Sequence, residues 1–448
     1  MTKIHSHILG GAVVLSGLFA SELAQAQDAP VAPAPAAPPA AEAPPPPAPP
    51  PAPPADMAPP PAAPPPMAMP APPPPPPPPA DNPFKVTVGA GFRTAIHVQN
   101  PNVPASDGGF TKLNDQYLDE LNLELRTSGK VTDIIGWTGN FTVDGRTRAQ
   151  ASGGPIAFQA QALDLIGQLD FMDEFHVWLG RMLTPSDRSN FSGPWFMPAW
   201  NYSGVLAGGG AYFGPRGTEE VGRETGATVW GDINKGKFKY YLGVLDLDSN
   251  FGVAKGGFAG QNPLISARLA YAFVGSEPGF YGSSTYYGGQ DIVALGAAFQ
   301  YQKNFAIGQK DTTGAALPDL KDNLVEFNAD LLAEKKLGAG TPGIEAAYYH
   351  ESGKTRGFND FFYVMPTFTT GEILPAKGKL NALFRFQMAK TGESGAITTH
   401  TAFEPSVAYL FKDYFAKLQL SYTYNKSKPE VGDAGKWQYI QLGFQIQQ

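Results

Sequence analysis

The sequence predicts an all-β fold: a transmembrane antiparallel β-barrel of about 16 strands, preceded by a disordered segment rich in proline and alanine. Three observations support this prediction. Apolar and polar residues alternate over long stretches of residues 84–448, the connections between these stretches alternate between short and long, and most prolines lie upstream of them. Only 16% of the 448 residues are charged and 12% are aromatic, which suits a barrel whose outer face meets lipid.

The chain begins with the composition of a secretory signal peptide. Lys3 is followed by an apolar run over residues 8–20 and by Ala24-Gln25-Ala26, a small-x-small cleavage pattern. This run is too short to cross a bilayer, which takes about 20 apolar residues. We therefore predict a signal peptide over residues 1–26, cut after Ala26.

Residues 27–83 form a predicted spacer. Residues 28–83 hold 30 of the 45 prolines and few residues other than proline and alanine. Repeated proline excludes both helix and sheet, and the stretch has too few large apolar residues to bury a core. We expect an extended, disordered, polyproline-II-like segment that lies in the periplasm.

The barrel itself is predicted over residues 84–448. From Phe84 to Val98 apolar residues fall on one face, while Lys85, Arg93 and His97 fall on the other. Strands of soluble proteins usually run about five or six residues, whereas tilted strands that cross a membrane need about 9–11. The predicted strands are 84–98, 116–128, 134–145, 158–170, 174–182, 222–232, 236–247, 264–274, 290–302, 322–336, 342–351, 361–373, 379–390, 400–412, 414–426 and 436–447.

The connections between the predicted strands alternate in length, as they do in outer-membrane barrels. Short turns such as 129–133 and 171–173 separate long connections. The long connections are 99–115, 146–157, 183–221, 248–263 and 303–321. One connection departs from the alternation, because 275–289 should be a short turn and is not. A soluble β-sandwich or propeller would explain the alternation, but not the strand length or the asymmetry of the connections, and no propeller repeat is present.

Composition excludes several other classes. The chain has no cysteine, so it has no disulfide framework, Cys-ligated zinc site or thiol nucleophile. Its histidines are not spaced like the ligands of a metal site. A formal net charge of −7 gives no excess of positive charge with which to bind nucleic acid. We predict no metal, no cofactor and no enzymatic activity, although a Ser-His-Asp arrangement has no fixed chain order and stays open.

The longest predicted connection, 183–221, is rich in glycine, proline and aromatic residues, which indicates a compact loop. The run VWLGRMLTPSDRSNFSGP (177–194) resembles the corresponding region of phosphate-selective-type porins, and the predicted architecture resembles Gram-negative trimeric porins in general. This resemblance implies an outer-membrane porin that lets ions and small hydrophilic solutes diffuse through a water-filled channel. It further implies a homotrimer surrounded by outer-membrane lipid, with loop 183–221 folded into the barrel.

The resemblance also implies candidate site residues. The charged residues of the loop would form the pore constriction: Asp187, Arg188, Arg216, Glu219 and Glu220. They would face charges on the lumen side of the strands: Arg93, Glu120, Glu124, Arg126, Asp144, Arg268, Glu326, Asp330, Arg385, Glu404 and Lys417. Opposed rows of charge filter ions at close range, but most of these positions would be polar simply because water fills the pore. Residues 84–448 hold 32 basic and 35 acidic side chains, so no selectivity is predicted.

Two questions stay open at this point. The loop aromatics Trp195, Phe196, Trp200, Tyr202 and Tyr212 would either form a stacking surface for sugars or pack the loop against the wall, and we expect packing. The runner-up function is a structural outer-membrane barrel tethered towards the cell wall by residues 28–83. A disordered spacer without any partner also explains this composition, and we favour it over the tether.

Overall fold

The computed structural model describes residues 85–100, 102–104, 110–112, 116–147, 157–203, 222–245, 262–310, 316–353, 358–373, 377–392, 397–430 and 434–448. The predicted signal peptide (1–26) and the predicted spacer (27–83) lie outside these residues. Within them, no helix has the length and apolar character needed to cross a membrane.

Sixteen strands form one closed antiparallel barrel, which confirms the predicted fold class. A separate two-stranded hairpin, β2 and β3, lies between the first two barrel strands in sequence. The strands are β1 Lys85–Asn100, β2 Asn102–Pro104, β3 Phe110–Lys112, β4 Gln116–Lys130, β5 Ile135–Thr147, β6 Ala157–Met172, β7 Phe175–Leu183, β8 Arg223–Ile233, β9 Phe238–Leu245, β10 Leu264–Val274, β11 Ile292–Lys310, β12 Ala316–Glu334, β13 Thr341–Ser352, β14 Asp360–Thr369, β15 Lys379–Thr391, β16 Thr398–Lys412, β17 Ala416–Pro429 and β18 Gly435–Gln447. Each predicted strand overlaps one barrel strand. Strand β1 pairs with both β4 and β18, and this closes the ring.

The side chains alternate across the barrel wall as the sequence predicts. On β18, Leu442 and Ile446 are 47% and 48% exposed, whereas Gln441 and Gln445 are 1% and 0% exposed. Successive side chains of a strand point to opposite faces of the sheet. The outer face is therefore an apolar band, and the polar and charged residues point inward, where they are buried.

The connection between β11 and β12 corrects one prediction. A long loop was expected over 303–321, but β11 runs on to Lys310 and β12 begins at Ala316, so the two strands continue as a hairpin. Two irregularities in register interrupt this pairing, between Gln302 and Phe305 and between Ile307 and Gln309. An irregularity in register breaks strict period-two alternation along a strand, so a pattern that relies on this alternation does not detect the hairpin.

Candidate pore constriction

The chain that leaves β7 turns into the barrel over residues 184–203, and we call this segment the lumen loop. It contains one short helix, α1 (Arg188–Ser192). Asp187 caps this helix by accepting hydrogen bonds from the backbone N–H groups of Ser189 (3.0 Å) and Asn190 (3.4 Å). Gly193, with a φ of 66°, ends it in a conformation that glycine adopts without strain.

The first part of the lumen loop is held by β10 and β12. Ser266 donates its hydroxyl hydrogen to the Pro185 carbonyl oxygen, and Arg268 donates to the Ser186 carbonyl oxygen at 2.8 Å. Arg268 also bonds both oxygens of the Asp330 carboxylate, at 2.6 and 3.0 Å. The start of the loop is therefore fixed through its backbone.

The second part of the lumen loop is held by strands on the far wall. Arg93 donates to the Trp200 carbonyl oxygen at 2.7 Å, and Lys417 donates to the Met197 carbonyl oxygen at 2.9 Å. Gln445 of β18 donates to the Trp195 carbonyl oxygen at 2.9 Å. Since β10 and β18 lie eight strands apart in the ring, the largest separation in this barrel, the loop crosses the whole lumen.

Two tryptophans of the lumen loop fit into gaps left by glycines in the wall. A Cβ at Gly91 would lie 2.6 Å from the Trp195 ring, and a Cβ at Gly443 would lie 2.5 Å from the Trp200 ring. Arg93 stacks its guanidinium over Trp200, with 4.3 Å between the guanidinium carbon and the ring centroid. Both rings are buried, as is Phe196, so these aromatics pack the loop rather than present a sugar-stacking surface.

A second segment enters the barrel from the opposite end. It comprises residues 275–291, between β10 and β11, and we call it the inward turn. Arg188 of the lumen loop binds both oxygens of Glu277 at 2.6 and 2.8 Å, and it donates to the Ser283 carbonyl oxygen at 2.8 Å. Tyr286 donates to the same Glu277 carboxylate at 3.0 Å. The connection that was too long for a turn therefore supplies the main partner of Arg188.

An apolar cluster inside the barrel joins the two segments. Phe280 of the inward turn stacks on Trp178 of β7, with ring centroids 4.4 Å apart. It also lies edge-on to Tyr241 of β9 at 5.3 Å and to Phe191 of the lumen loop at 5.2 Å. Since aromatic rings bury large areas and prefer these geometries, the cluster fixes both segments against the wall at β7–β9.

The buried carboxyl groups of Asp187 and Glu277, which lie outside the strands, have shifted pKa values. Burial and the nearby Asp330 carboxylate raise the pKa of Asp187 to about 6, although Tyr349 donates a hydrogen bond to Asp187 at 2.9 Å. Burial alone would raise the pKa of Glu277, but the charge and hydrogen bonds of Arg188 outweigh it and lower the pKa to about 2. At neutral pH both carboxyl groups are therefore negatively charged.

The other predicted site residues fall into three groups: members of ion pairs, a residue buried on the inner wall, and residues whose side chains the structure does not describe. Arg126 and Glu124 pair with each other at 2.9 Å, and Arg385 pairs with Glu404 at 2.5 Å while it also donates to the Asn201 carbonyl oxygen. Glu326 lies buried on the inner face of β12. Arg216, Glu219 and Glu220 lie outside the described residues, and so do the side chains of Glu120 and Asp144.

Several residues that organise this region were missed by sequence reasoning. Glu277 and Phe280 belong to the inward turn, whose only sequence signal was its excess length. Gly91 and Gly443 read as ordinary glycines within strands, although glycine in a strand marks a place where another group approaches closely. Among the described residues, no group of three or more His, Asp or Glu side chains is arranged to hold a metal ion.

Comparisons with known proteins bear on the fold. No family model matches the chain, and no curated protein matches it. Among solved structures, OprB of Pseudomonas putida has a TM-score of 0.55 at 10% identity, over 81% of this chain and 94% of that one. OmpT of Vibrio cholerae (0.49, 15% identity, 82% and 98%) and an anion-selective porin of Comamonas acidovorans (0.48, 14% identity, 82% and 100%) are also similar.

The TM-score to OprB is above 0.5, and at 10% sequence identity this similarity is informative about the fold alone. It covers most of both chains, and the described strands close into a 16-stranded ring. The predicted architecture is therefore confirmed: this chain has a closed 16-stranded antiparallel barrel fold, similar to that of OprB.

Proposed function

We propose that the protein is an outer-membrane porin, through which ions and small hydrophilic solutes diffuse passively. The observation that carries this proposal is the lumen loop, which crosses a 16-stranded barrel and is held by both walls. Side chains fill the interior of a barrel of about eight strands, but barrels of about 16 strands leave an aqueous channel. A loop across such a channel restricts the passage to what fits beside it.

Polar side chains on the inner wall support a hydrated lumen. The inward face of the strands carries amides, hydroxyls and charged groups, for example Asn328, Asn425 and Gln441, whereas the outward face is apolar. Outer-membrane barrels with an aqueous channel have such a polar interior.

We assign the constriction to Asp187 and Arg188, together with Arg216, Glu219 and Glu220 farther along the same connection. The predicted wall charges have a further role in this assignment. Arg93, Arg268, Arg385 and Lys417 each donate to a backbone carbonyl oxygen of the lumen loop, so they position the loop as well as line the channel.

We also propose the cellular setting that follows from this function. The signal peptide directs export, the barrel lies in outer-membrane lipid as a homotrimer, and the proline-rich spacer extends into the periplasm, where it can reach the cell wall. Passive diffusion requires no catalysis, metal or cofactor, in keeping with the predicted absence of all three.

Reconstitution into planar lipid bilayers tests the channel. We expect stepwise increases in conductance from the purified, folded protein. The same preparation unfolded by heat should give none, because the channel requires the closed barrel. Purified folded protein that inserts into the bilayer and carries no current would contradict the proposal.

A further inference from the structure

The lumen loop and the inward turn meet inside the barrel, although they enter it from opposite ends. Strand β7 runs towards one end and continues into the lumen loop, whereas β10 runs towards the other end and continues into the inward turn. Their contacts include the Arg188–Glu277 ion pair, the Arg188–Ser283 hydrogen bond and the packing of Phe191 on Phe280. Two separate connections thus form one layer across the lumen.

The inward turn is itself fixed to the wall at several points. Lys239 of β9 donates to the carbonyl oxygens of Gly279 (3.2 Å) and Tyr281 (2.9 Å). Thr285 donates to Glu334 of β12 at 2.5 Å, and Lys379 of β15 donates to the Tyr287 carbonyl oxygen at 3.2 Å. These contacts reach from β9 to β15, so the turn covers a wide sector of the lumen and is not a flap hinged at one edge.

We propose that the inward turn is a second constriction element, which closes the lumen beside β7–β10 and holds the lumen loop in place through Glu277. This inference rests on the proposed channel function and extends it. Glu277 acts as a positioning residue: its carboxylate binds the Arg188 guanidinium in two hydrogen bonds, which fixes the orientation of that side chain. It also neutralises a cation that would otherwise stand beside the solute path.

The removal of this carboxylate charge has two separable consequences. In Glu277→Gln, Arg188 keeps Asp330 as an acidic partner, at 3.4 Å, and Asp330 is already bound to Arg268. The constriction therefore gains positive charge, and we expect the cation-to-anion permeability ratio to fall about twofold. The lumen loop also loses a fixed point, so we expect the noise of the open-channel current to rise about twofold.

The matched control is Glu372→Gln. Glu372 is exposed on the connection after β14, at the same end of the barrel as the inward turn, and its substitution changes the net charge by the same amount. It should leave both the permeability ratio and the noise unchanged. Equal behaviour of the two variants would overturn the inference.

A reversible cross-link tests the contact independently. A Cβ at Gly282 would lie 3.7 Å from the Phe191 Cβ, within the range of about 3.5–4.5 Å found in disulfides. The chain contains no cysteine, so Phe191→Cys combined with Gly282→Cys gives a single pair. We expect mild oxidation of the folded double variant to form the disulfide. Failure to form it in folded protein would contradict the contact.

The decisive measurement combines these changes in one protein. When Glu277→Gln is added to the cysteine pair, oxidation should lower the noise of the open-channel current, because the disulfide replaces the lost fixed point. Reduction of the disulfide should raise the noise again. An unchanged noise level on oxidation would overturn the positioning role. A wild-type protein without conductance would instead defeat the channel function and with it the constriction role, while the cross-link would still form.

Discussion

At the scale of single residues, Asp187 has two tasks. Its carboxylate caps α1, and it also accepts a hydrogen bond from Tyr349 on the wall and lies near the Asp330 carboxylate. Because burial and the neighbouring carboxylate raise its pKa to about 6, the group is charged above about pH 6 and neutral below it. The charge of the constriction therefore changes within a range that is accessible in the bilayer experiment.

We predict that selectivity depends on pH through this group. Between pH 7.5 and pH 5 the cation-to-anion permeability ratio should fall about twofold, since the constriction loses one negative charge. Reversal potentials in a KCl gradient measure the ratio. In Asp187→Asn the ratio should already be low at pH 7.5, and the step near pH 6 should be absent. An Asp187→Asn channel that keeps this step would assign it to another group.

The glycine beneath Trp200 gives a second prediction. Gly443→Ala places a Cβ 2.5 Å from the indole ring, so the ring must move out of its gap. Overpacking of this kind costs about 1–3 kcal/mol, which we expect as a lower midpoint of urea unfolding. Gly338→Ala is the control, since Gly338 lies on a turn with no atom near its Cβ position. Equal midpoints for the two variants would contradict the tight fit.

Residue pairs mark the limit of sequence reasoning. Arg188 was predicted as a constriction residue from the motif that surrounds it, but its partner Glu277 lies 89 positions away. No local pattern connects the two, because they meet only after β8, β9 and β10 have brought the inward turn back into the lumen. The sequence could predict which charged side chains point into the lumen. Which of them pair with one another depends on how the strands are arranged around the whole barrel.

At the scale of elements, the lumen loop is held mainly by wall side chains that donate to its backbone. Lys417 is an informative donor, because its ammonium lies buried inside the barrel and binds the Met197 carbonyl oxygen. Lys426 lies on the same strand but points to the outer face, as the alternation of β17 shows. The two lysines therefore form a matched pair for substitution.

We predict that Lys417→Met loosens the lumen loop and that Lys426→Met does not. Loss of the charged donor leaves the Met197 carbonyl oxygen with only the 3.5 Å hydrogen bond from Tyr287, and a hydrogen bond from a charged group contributes about 1.5–3 kcal/mol. The open-channel current of Lys417→Met should therefore be noisier than that of wild type in planar bilayers. The same noise in Lys426→Met, or none in either variant, would count against anchoring by Lys417.

Strands were more predictable than the chain between them. A strand with one face to lipid and the other to the lumen must alternate along its whole length, and β18 does so without interruption. After Gln302 in the sequence, the pairing of β11 with β12 has an irregular register, and Asn304 adopts a φ of 55°. Pairing with β12 maintains this hairpin although its residues do not alternate, so a pattern read along one strand misses it.

At the scale of the whole molecule, pairing among the described strands closes the barrel. Strand β1 begins at Lys85, and it pairs with β18 and β4 along its length. The C-terminal Gln448 exchanges backbone hydrogen bonds with Ala90 at 2.8 and 3.1 Å. The closed ring is therefore complete within residues 85–448.

We predict that deletion of residues 28–83 leaves single-channel conductance unchanged, because the channel lies within the ring. Planar-bilayer recordings of the shortened and full-length proteins check this. A larger conductance after the deletion would mean that the spacer enters the channel. Co-sedimentation of both proteins with isolated cell wall is a separate measurement, and it decides whether the spacer is a tether.

The way the lumen loop is anchored has a consequence for its own sequence. The wall binds carbonyl oxygens of Pro185, Ser186, Trp195, Met197, Trp200 and Asn201. Every amino acid carries that oxygen, so these bonds do not depend on which side chain stands at each position. Substitutions that spare Arg188, Phe191, Trp195 and Trp200, whose side chains also hold the segment, therefore leave these backbone anchors in place, so the path of the loop can stay the same while the chemistry of its other positions changes.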